Sequence, residues 1–356
     1  MAYFKSSIKK YLKYRERKPI SALKIKRLGA GWHGEGYEIT YNIGTKKKSV
    51  ILRTQRPVDF SHDFPSDRAK VFLLQHGLFC QIPKHVRSID VCGMTSAKEI
   101  ISLGKAKEFY QIVDRAEGIP YMEDLERIKK IGKLINVDES KALDLSNYLI
   151  KLHGKKFKGS KKQFLSIKKR HLRDTVGHGE MLMGVLDTYP EKISWATKKE
   201  ITELICKAVR FEQSIKNLPL ELSKMHGDFH PGNIWFKKNR DFVLLDASRE
   251  LWGLSADDVT TLAINYIWFA LMHIGKFGGP FRELFEIFWK NYMRKTKDKS
   301  VAKTAALFFA FRGMVVAHPV FYKNQSNQVR RKIFNFINNA LEDKVFDFRK
   351  INSYLR

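Results

Sequence analysis

Cysteine is rare in this chain: Cys80, Cys92 and Cys206 are the only three in 356 residues, and they lie far apart. No pair has metal-ligand spacing, so a cysteine-ligated metal is excluded and buried thiols in a reducing compartment are expected. Long hydrophobic runs are missing too. The longest apolar stretch, around Leu262 to Ile274, is too short to span a bilayer. The first residues are rich in Lys and Arg and lack the apolar centre of a signal peptide. A soluble, cytoplasmic protein is the expectation. Internal repeats and low-complexity tracts are absent, and a hydrophobic fraction of 44 % with 12 % aromatics excludes disorder. The length suits two unequal lobes rather than one small domain.

Acidic residues are also in short supply. Lys and Arg number 66 against 37 Asp and Glu, a formal net charge of +29. Residues 1–60 hold fifteen basic residues and four acids, and residues 151–175 hold ten and one. A field of this sign attracts anions: nucleotides, nucleic acid, anionic lipid or an acidic substrate. A solvated basic surface without a specific partner accounts for it equally well.

Periodicity divides the chain into three parts: a basic leader at 1–20, a strand-rich lobe at 21–117 and a helical lobe at 118–356. Phe4, Ile8 and Leu12 recur at helical spacing over residues 3–18 and predict an amphipathic helix that docks on the lobe after it. Strands are predicted from Ile25, across a Gly44-Thr45 turn to Ser49–Thr54, and again at Val86–Val91 and Phe109–Val113, with a short helix at 66–76. Beyond Gly118 helices are predicted at 143–152, 171–186, 198–215, 257–272, 282–293, 301–318 and 329–341. A loop and strand pair around Asp228 and Asp246 interrupts them.

Three local patterns carry chemistry. Gly29, Gly31 and Gly34 form a glycine-rich turn between two strands, where backbone N–H groups can approach phosphates. On the strand Val50-Ile51-Leu52-Arg53, alternation places Ile51 and Arg53 on one face, Ile51 suited to cover a base and Arg53 to reach its phosphates. The third pattern, His226-Gly227-Asp228-Phe229-His230-Pro231-Gly232-Asn233, precedes the apolar strand Phe242–Leu245 that ends in Asp246. Asp228 is placed to accept a proton from an attacking hydroxyl, and Asn233 and Asp246 offer hard oxygens to Mg²⁺. His230 has no partner at ligand spacing and reads as a packing residue.

With these motifs in order, residues 20–330 resemble the aminoglycoside phosphotransferase and choline kinase superfamily. The resemblance implies an α+β, protein-kinase-like two-lobe fold, with a small antiparallel-sheet N-lobe and a larger, mostly helical C-lobe. It implies a phosphotransferase that uses ATP, with GTP the alternative nucleotide, and Mg²⁺. Asp228 would be the catalytic base, and Asn233 and Asp246 the metal ligands. Adenine would sit against a hinge, bonded to the Asp114 carbonyl and the Ala116 N–H. Asp258 would tie the catalytic loop in place and His226 would be structural. Arg53 stands where Lys is usual, and its acidic partner would be Asp67 or Asp63.

The acceptor is expected to be a small molecule with a hydroxyl. The basic segment from Lys151 to Arg173 suggests that it is neutral or anionic, since Glu180, Asp187 and Glu191 are too few for a polycation. A kinase of a protein or RNA-associated macromolecule, and a nucleotide- or nucleic-acid-binding pseudokinase, are the alternatives. An anionic partner on the basic surface fits each of the three.

Overall fold

The computed structural model describes residues 2–30, 34–55, 64–79, 86–104, 106, 115–247 and 251–356. It divides into two compact units, Met1–Val113 and Asp114–Arg356. The first is built on an antiparallel sheet and the second is largely helical.

In the first unit α1 (Ala2–Glu16) precedes β1 (Ser21–Ala30), β2 (Gly34–Ile43) and β3 (Lys46–Gln55), which pair in that order. The Gly44-Thr45 turn closes the β2–β3 hairpin with Ile43 opposite Lys46. Ile8 and Leu12 of α1 are buried with Ile39 and Tyr41 of β2, so the basic leader covers one sheet face with its apolar stripe. α2 (Pro65–Phe79) follows, and β4 (Cys92–Met94) pairs with β5 (Ile100–Ser102). The strand expected at Val86–Val91 is not formed. That segment has no ladder, and the pairing begins one residue later, at Cys92. The strand expected at Phe109–Val113 lies outside the described residues.

The second unit opens with β6 (Ile119–Pro120), α3 (Tyr121–Ile131), α4 (Asn136–His153) and α5 (Lys161–Thr175). α3 has no counterpart among the helices expected from periodicity. It starts after Pro120 and ends at Gly132, whose φ of 76° suits a left-handed cap. The helix expected at 171–186 is two elements. α5 begins ten residues earlier, where Ser160 and Gln163 form a capping box, and it ends before Gly177. A separate π turn, Met181–Val185, follows. Next come α6 (Lys198–Ile215) and four short strands: β7 (Ser223–Lys224), β8 (Ile234–Phe236), β9 (Phe242–Leu244) and β10 (Trp252–Gly253). β8 pairs antiparallel with both β6 and β9, and β7 pairs with β10.

Four long helices complete the unit: α7 (Ala256–Ile274), α8 (Gly279–Thr296), α9 (Lys299–Val316) and α10 (Asn327–Ala340). Residues Ala256 to Leu271 of α7 are all buried. An element buried all round needs neighbours on every side, and α7 packs on α3, α8, α9 and α10. Among the described residues no helix is long and apolar enough to cross a membrane.

Candidate active site

The 226–233 loop is fastened from below by acids at the start of α7. Asp257 and Asp258 are completely buried in its first turn, where the positive end of the helix dipole favours carboxylates. Asp258 Oδ2 accepts the His226 N–H at 2.8 Å and Oδ1 accepts the Gly227 N–H at 2.7 Å. His153 Nε2 donates to Oδ2 at 3.1 Å, and its Nδ1 bonds to the Tyr292 hydroxyl at 2.8 Å. A buried carboxylate is thereby matched by three donors, two of them backbone groups of the loop. Gly227 has φ of 86°, a left-handed bend that a side chain would strain.

Beyond that bend the Asp228 carboxylate is held on both oxygens. Arg312 Nη1, from α9, donates to Oδ1 at 2.7 Å, and Asn233 Nδ2 donates to Oδ2 at 3.1 Å and to the Asp228 carbonyl at 3.1 Å. Arg312 is itself buried, and its Nη2 reaches the Gly227 carbonyl at 3.0 Å and Asp257 Oδ1 at 3.3 Å. Burial disfavours its charge, but Asp257 and Asp228 outweigh that and hold its pKa above the ordinary arginine value. His171 completes the support. Its Nδ1 accepts the Leu254 N–H at 3.1 Å, so Nε2 carries the proton and donates to Asp257 Oδ2 at 3.1 Å.

The two histidines of the loop are spent on its shape. His226 Nδ1 accepts the Asp228 N–H at 3.2 Å, and His230 Nδ1 accepts the Gly232 N–H at 3.1 Å. Burial pushes the His230 pKa down, against the pull of Asp228. Among the described residues no group of three or more His, Cys, Asp or Glu is arranged to hold a metal.

The backbone ties Asn233 to the residue before Asp246, since the Leu245 N–H donates to the Asn233 carbonyl at 2.9 Å. The Asn233 amide nitrogen is engaged by Asp228, while its Oδ1 accepts nothing among the described residues. Asp246 is exposed at the end of β9 with φ of 51°, a left-handed conformation that Asp tolerates better than most residues. Its carboxylate makes no hydrogen bond or ion pair among the described residues. One amide oxygen and one carboxylate beside Asp228 therefore make a hard-oxygen donor set that fits Mg²⁺.

A cavity of about 550 Å³ opens beside Asp228. Its walls come from the 180–188 segment, α7, α9 and the turn at Phe321-Tyr322, all in the second unit. No residue of the basic 151–173 segment lines it. Three of its basic side chains have partners elsewhere: Lys168 is buried against the Leu218 carbonyl, Arg170 pairs with Asp174 at 3.1 Å and Lys156 pairs with Glu221 at 3.2 Å.

The remaining sequence candidates are spread over both units. Gly29 lies in β1 opposite Gly36, and Gly31 lies outside the described residues. Gly34 sits opposite Gln55, where an added Cβ would fall 2.0 Å from the Thr54 carbonyl oxygen. No side chain fits there. Ile51 and Arg53 share the exposed face of β3, with Gly36 opposite Arg53. Asp67 accepts the Phe64 N–H at 2.9 Å at the start of α2, and Asp63 and Asp114 lie outside the described residues. Ala116 is half-buried just before β6.

Arg312, Asp257, His171 and His153 escaped the sequence reading. The signal for Arg312 was present: it is the lone charge in the apolar run Ala305–Val316, where an unpaired cation would be prohibitively costly.

No protein-family description and no curated protein matches this sequence. Among solved structures the chain is similar to an amicoumacin kinase in complex with AMP-PNP and calcium, at 14 % identity and TM-score 0.41, covering 92 % of this chain and 91 % of that one. It is also similar to a choline/ethanolamine kinase family protein from Mesorhizobium loti, at 13 % identity and TM-score 0.36, covering 94 % and 92 %. A spectinomycin phosphotransferase in complex with ADP and spectinomycin matches at 13 % identity and TM-score 0.35, covering 98 % and 97 %.

Proposed function

We propose that the protein transfers the γ-phosphate of a nucleotide, ATP or GTP, to a hydroxyl of a small molecule. One observation carries the reading: Asp228 stands at a cavity wall with its carboxylate oriented by Arg312 and Asn233, and among the described residues neither Asn233 Oδ1 nor the Asp246 carboxylate accepts a hydrogen bond. Phosphoryl transfer asks for this combination of positioning and charge neutralisation.

On this reading Asp228 Oδ2 receives the acceptor hydroxyl and takes its proton. The freed oxygen forms the bond to the γ-phosphorus, and the bond to the bridging oxygen breaks with its electron pair leaving on the nucleoside diphosphate. Arg312 locks Oδ1, so the carboxylate cannot rotate away. Mg²⁺ held by Asn233 Oδ1 and Asp246 would neutralise charge on the phosphate oxygens. Asp114 and Ala116 are assigned to the base of the nucleotide, with Ile51 covering it. Gly29, Gly31, Gly34 and Arg53 are assigned to its phosphates. The cavity favours a small acceptor over a protein or RNA, because its walls enclose a volume of drug-like size.

Transfer of label from γ-labelled Mg-ATP into a cell extract tests the reading. Asp228→Asn should lower turnover by about 10³-fold or more with nucleotide affinity retained, since it removes both the charge and the proton acceptor. Asp246→Asn should instead weaken nucleotide binding only when Mg²⁺ is present, measured by calorimetry with and without the metal. Undiminished transfer by Asp228→Asn would refute the assignment, and unlabelled GTP as competitor separates the two nucleotides.

A further inference from the structure

Shaping the 226–233 loop takes only one nitrogen of the His230 ring, and the other is left over at the cavity. His230 precedes Pro231, which restricts it to extended backbone, and its φ of −98° and ψ of 158° lie there. Its Nδ1 caps the short turn Pro231–Asn233 by accepting the Gly232 N–H at 3.1 Å. The bare Cα of Gly232 lets the ring lie close over it, since an added Cβ would fall 2.7 Å from His230 Cε1. Backbone, cap and packing together fix the direction of the ring.

With Nδ1 accepting, the neutral ring carries its proton on Nε2. Burial keeps it neutral against the pull of Asp228. His230 lines the cavity, and its Nε2 lies 3.7 Å from Asp228 Oδ2. That is too long for a direct hydrogen bond, and Nε2 meets no other acceptor among the described residues. Arg312 holds Oδ1 of the same carboxylate and Asn233 takes one lone pair of Oδ2, so Oδ2 keeps a second lone pair for a hydroxyl. Tyr322 and Arg312 also bring donors to this wall. Arg312 Nη1 is committed to Oδ1, however, and the Tyr322 hydroxyl turns about its C–O bond, whereas the His230 N–H has a set direction.

We propose that His230 is a second contact on the acceptor: its Nε2–H donates to the attacking hydroxyl oxygen while Asp228 Oδ2 takes that oxygen's proton. The oxygen's remaining lone pair forms the bond to the γ-phosphorus, and the bridging P–O bond breaks with its electron pair leaving on the nucleoside diphosphate. His230 keeps its proton throughout. Two fixed contacts confine an oxygen that one contact would leave free to swing. The proposal deepens the phosphotransferase reading and rests on it.

Two substitutions separate the ring nitrogens, because the side-chain oxygen of Asn overlays Nδ1 of histidine and the side-chain nitrogen of Gln overlays Nε2. His230→Asn keeps an acceptor for the Gly232 N–H and removes the donor at the cavity. His230→Gln keeps that donor and removes the acceptor. The assay is the initial rate of label transfer from saturating γ-labelled Mg-ATP into the small-molecule fraction of a cell extract, with calorimetric Mg-ATP affinity and thermal melting measured beside it. His230→Asn should slow transfer by about 10²-fold with affinity and melting unchanged, and His230→Gln should keep about a tenth or more of the wild-type rate. Tyr322→Phe should slow transfer less than His230→Asn does. Wild-type transfer by His230→Asn, or faster transfer by it than by His230→Gln, would show that the ring serves only the loop and overturn the proposal. A larger loss in Tyr322→Phe would give the contact to that hydroxyl and overturn it as well. If the wild-type protein neither bound Mg-ATP nor moved label, the phosphotransferase reading would fall, and this contact with it.

Discussion

At the scale of single residues, Arg312 connects the interior of the second unit to its candidate chemistry. It bridges Asp228, Asp257 and the Gly227 carbonyl. Removing the guanidinium takes the cationic partner from Oδ1 of the buried Asp257 carboxylate, and breaking a buried pair of this kind costs about 3–5 kcal/mol. Arg312→Gln should show a loss of that order in denaturant unfolding. Arg312→Lys keeps the charge and should recover much of that stability. A single ammonium has no planar fork to hold three oxygens in fixed directions, so turnover should stay at least tenfold down while the KM for nucleotide is unchanged. Full recovery of turnover with Lys would show that Arg312 supplies charge and not orientation. The sequence nominates Asp228, Asn233 and Asp246 because their spacing follows the chain. It missed Arg312 and Asp257 because their meaning lies in pairing across a separation of 55 residues.

Among the elements, helix ends set the register of the second unit, and α6 gives the clearest case. Its Thr197 hydroxyl accepts the Glu200 N–H at 3.2 Å, and Glu200 accepts the Thr197 N–H at 2.8 Å. Arg331 of α10 adds a 2.7 Å ion pair. The Thr197 N–H, with Arg331 second, draws the Glu200 pKa from 4.5 down to about 2. A carboxylate with a depressed pKa stabilises the folded state fully above its unfolded value and loses that contribution as pH falls toward the folded one. Glu200→Gln should thus cost about 1 kcal/mol at neutral pH, the solvent-screened value for a partly exposed cap. That difference should shrink by half or more in urea melts at pH 3, and a difference that holds steady with pH would refute the charge as its cause. The same capping chemistry explains the uneven legibility of the helices. α6 is legible to the residue from its apolar spacing, and its start coincides with the box of Thr197 and Glu200. α5 was misplaced because apolar spacing ran across Gly177 and Gly179, whose breaks the periodicity ignored, while the box at Ser160 was passed over. Val86–Val91 looked like a strand by composition, but a strand exists only where a partner forms its ladder.

At the scale of the whole molecule, the described residues form two separate hydrophobic cores, one in each unit. The larger is centred on α7 and draws in every long helix from α3 to α10. Residues 114–356 produced alone should therefore give a cooperative thermal transition with a helical circular dichroism spectrum. A gradual, featureless melt of that fragment would show that its core depends on the first unit. The cavity beside Asp228 also belongs to this scale, since its walls come from segments between residues 180 and 322.

The sequence by itself determined the α+β composition and most of the helices, and it singled out Asp228, Asn233 and Asp246 as candidates, because these depend on residue type at short separations. Only the tertiary structure decided that the basic segment at 151–173 does not line the cavity, that polar and apolar side chains share its walls, and that a buried arginine from α9 holds the Asp228 carboxylate. These features arise where distant segments pack together, and no local pattern encodes which side chains meet there.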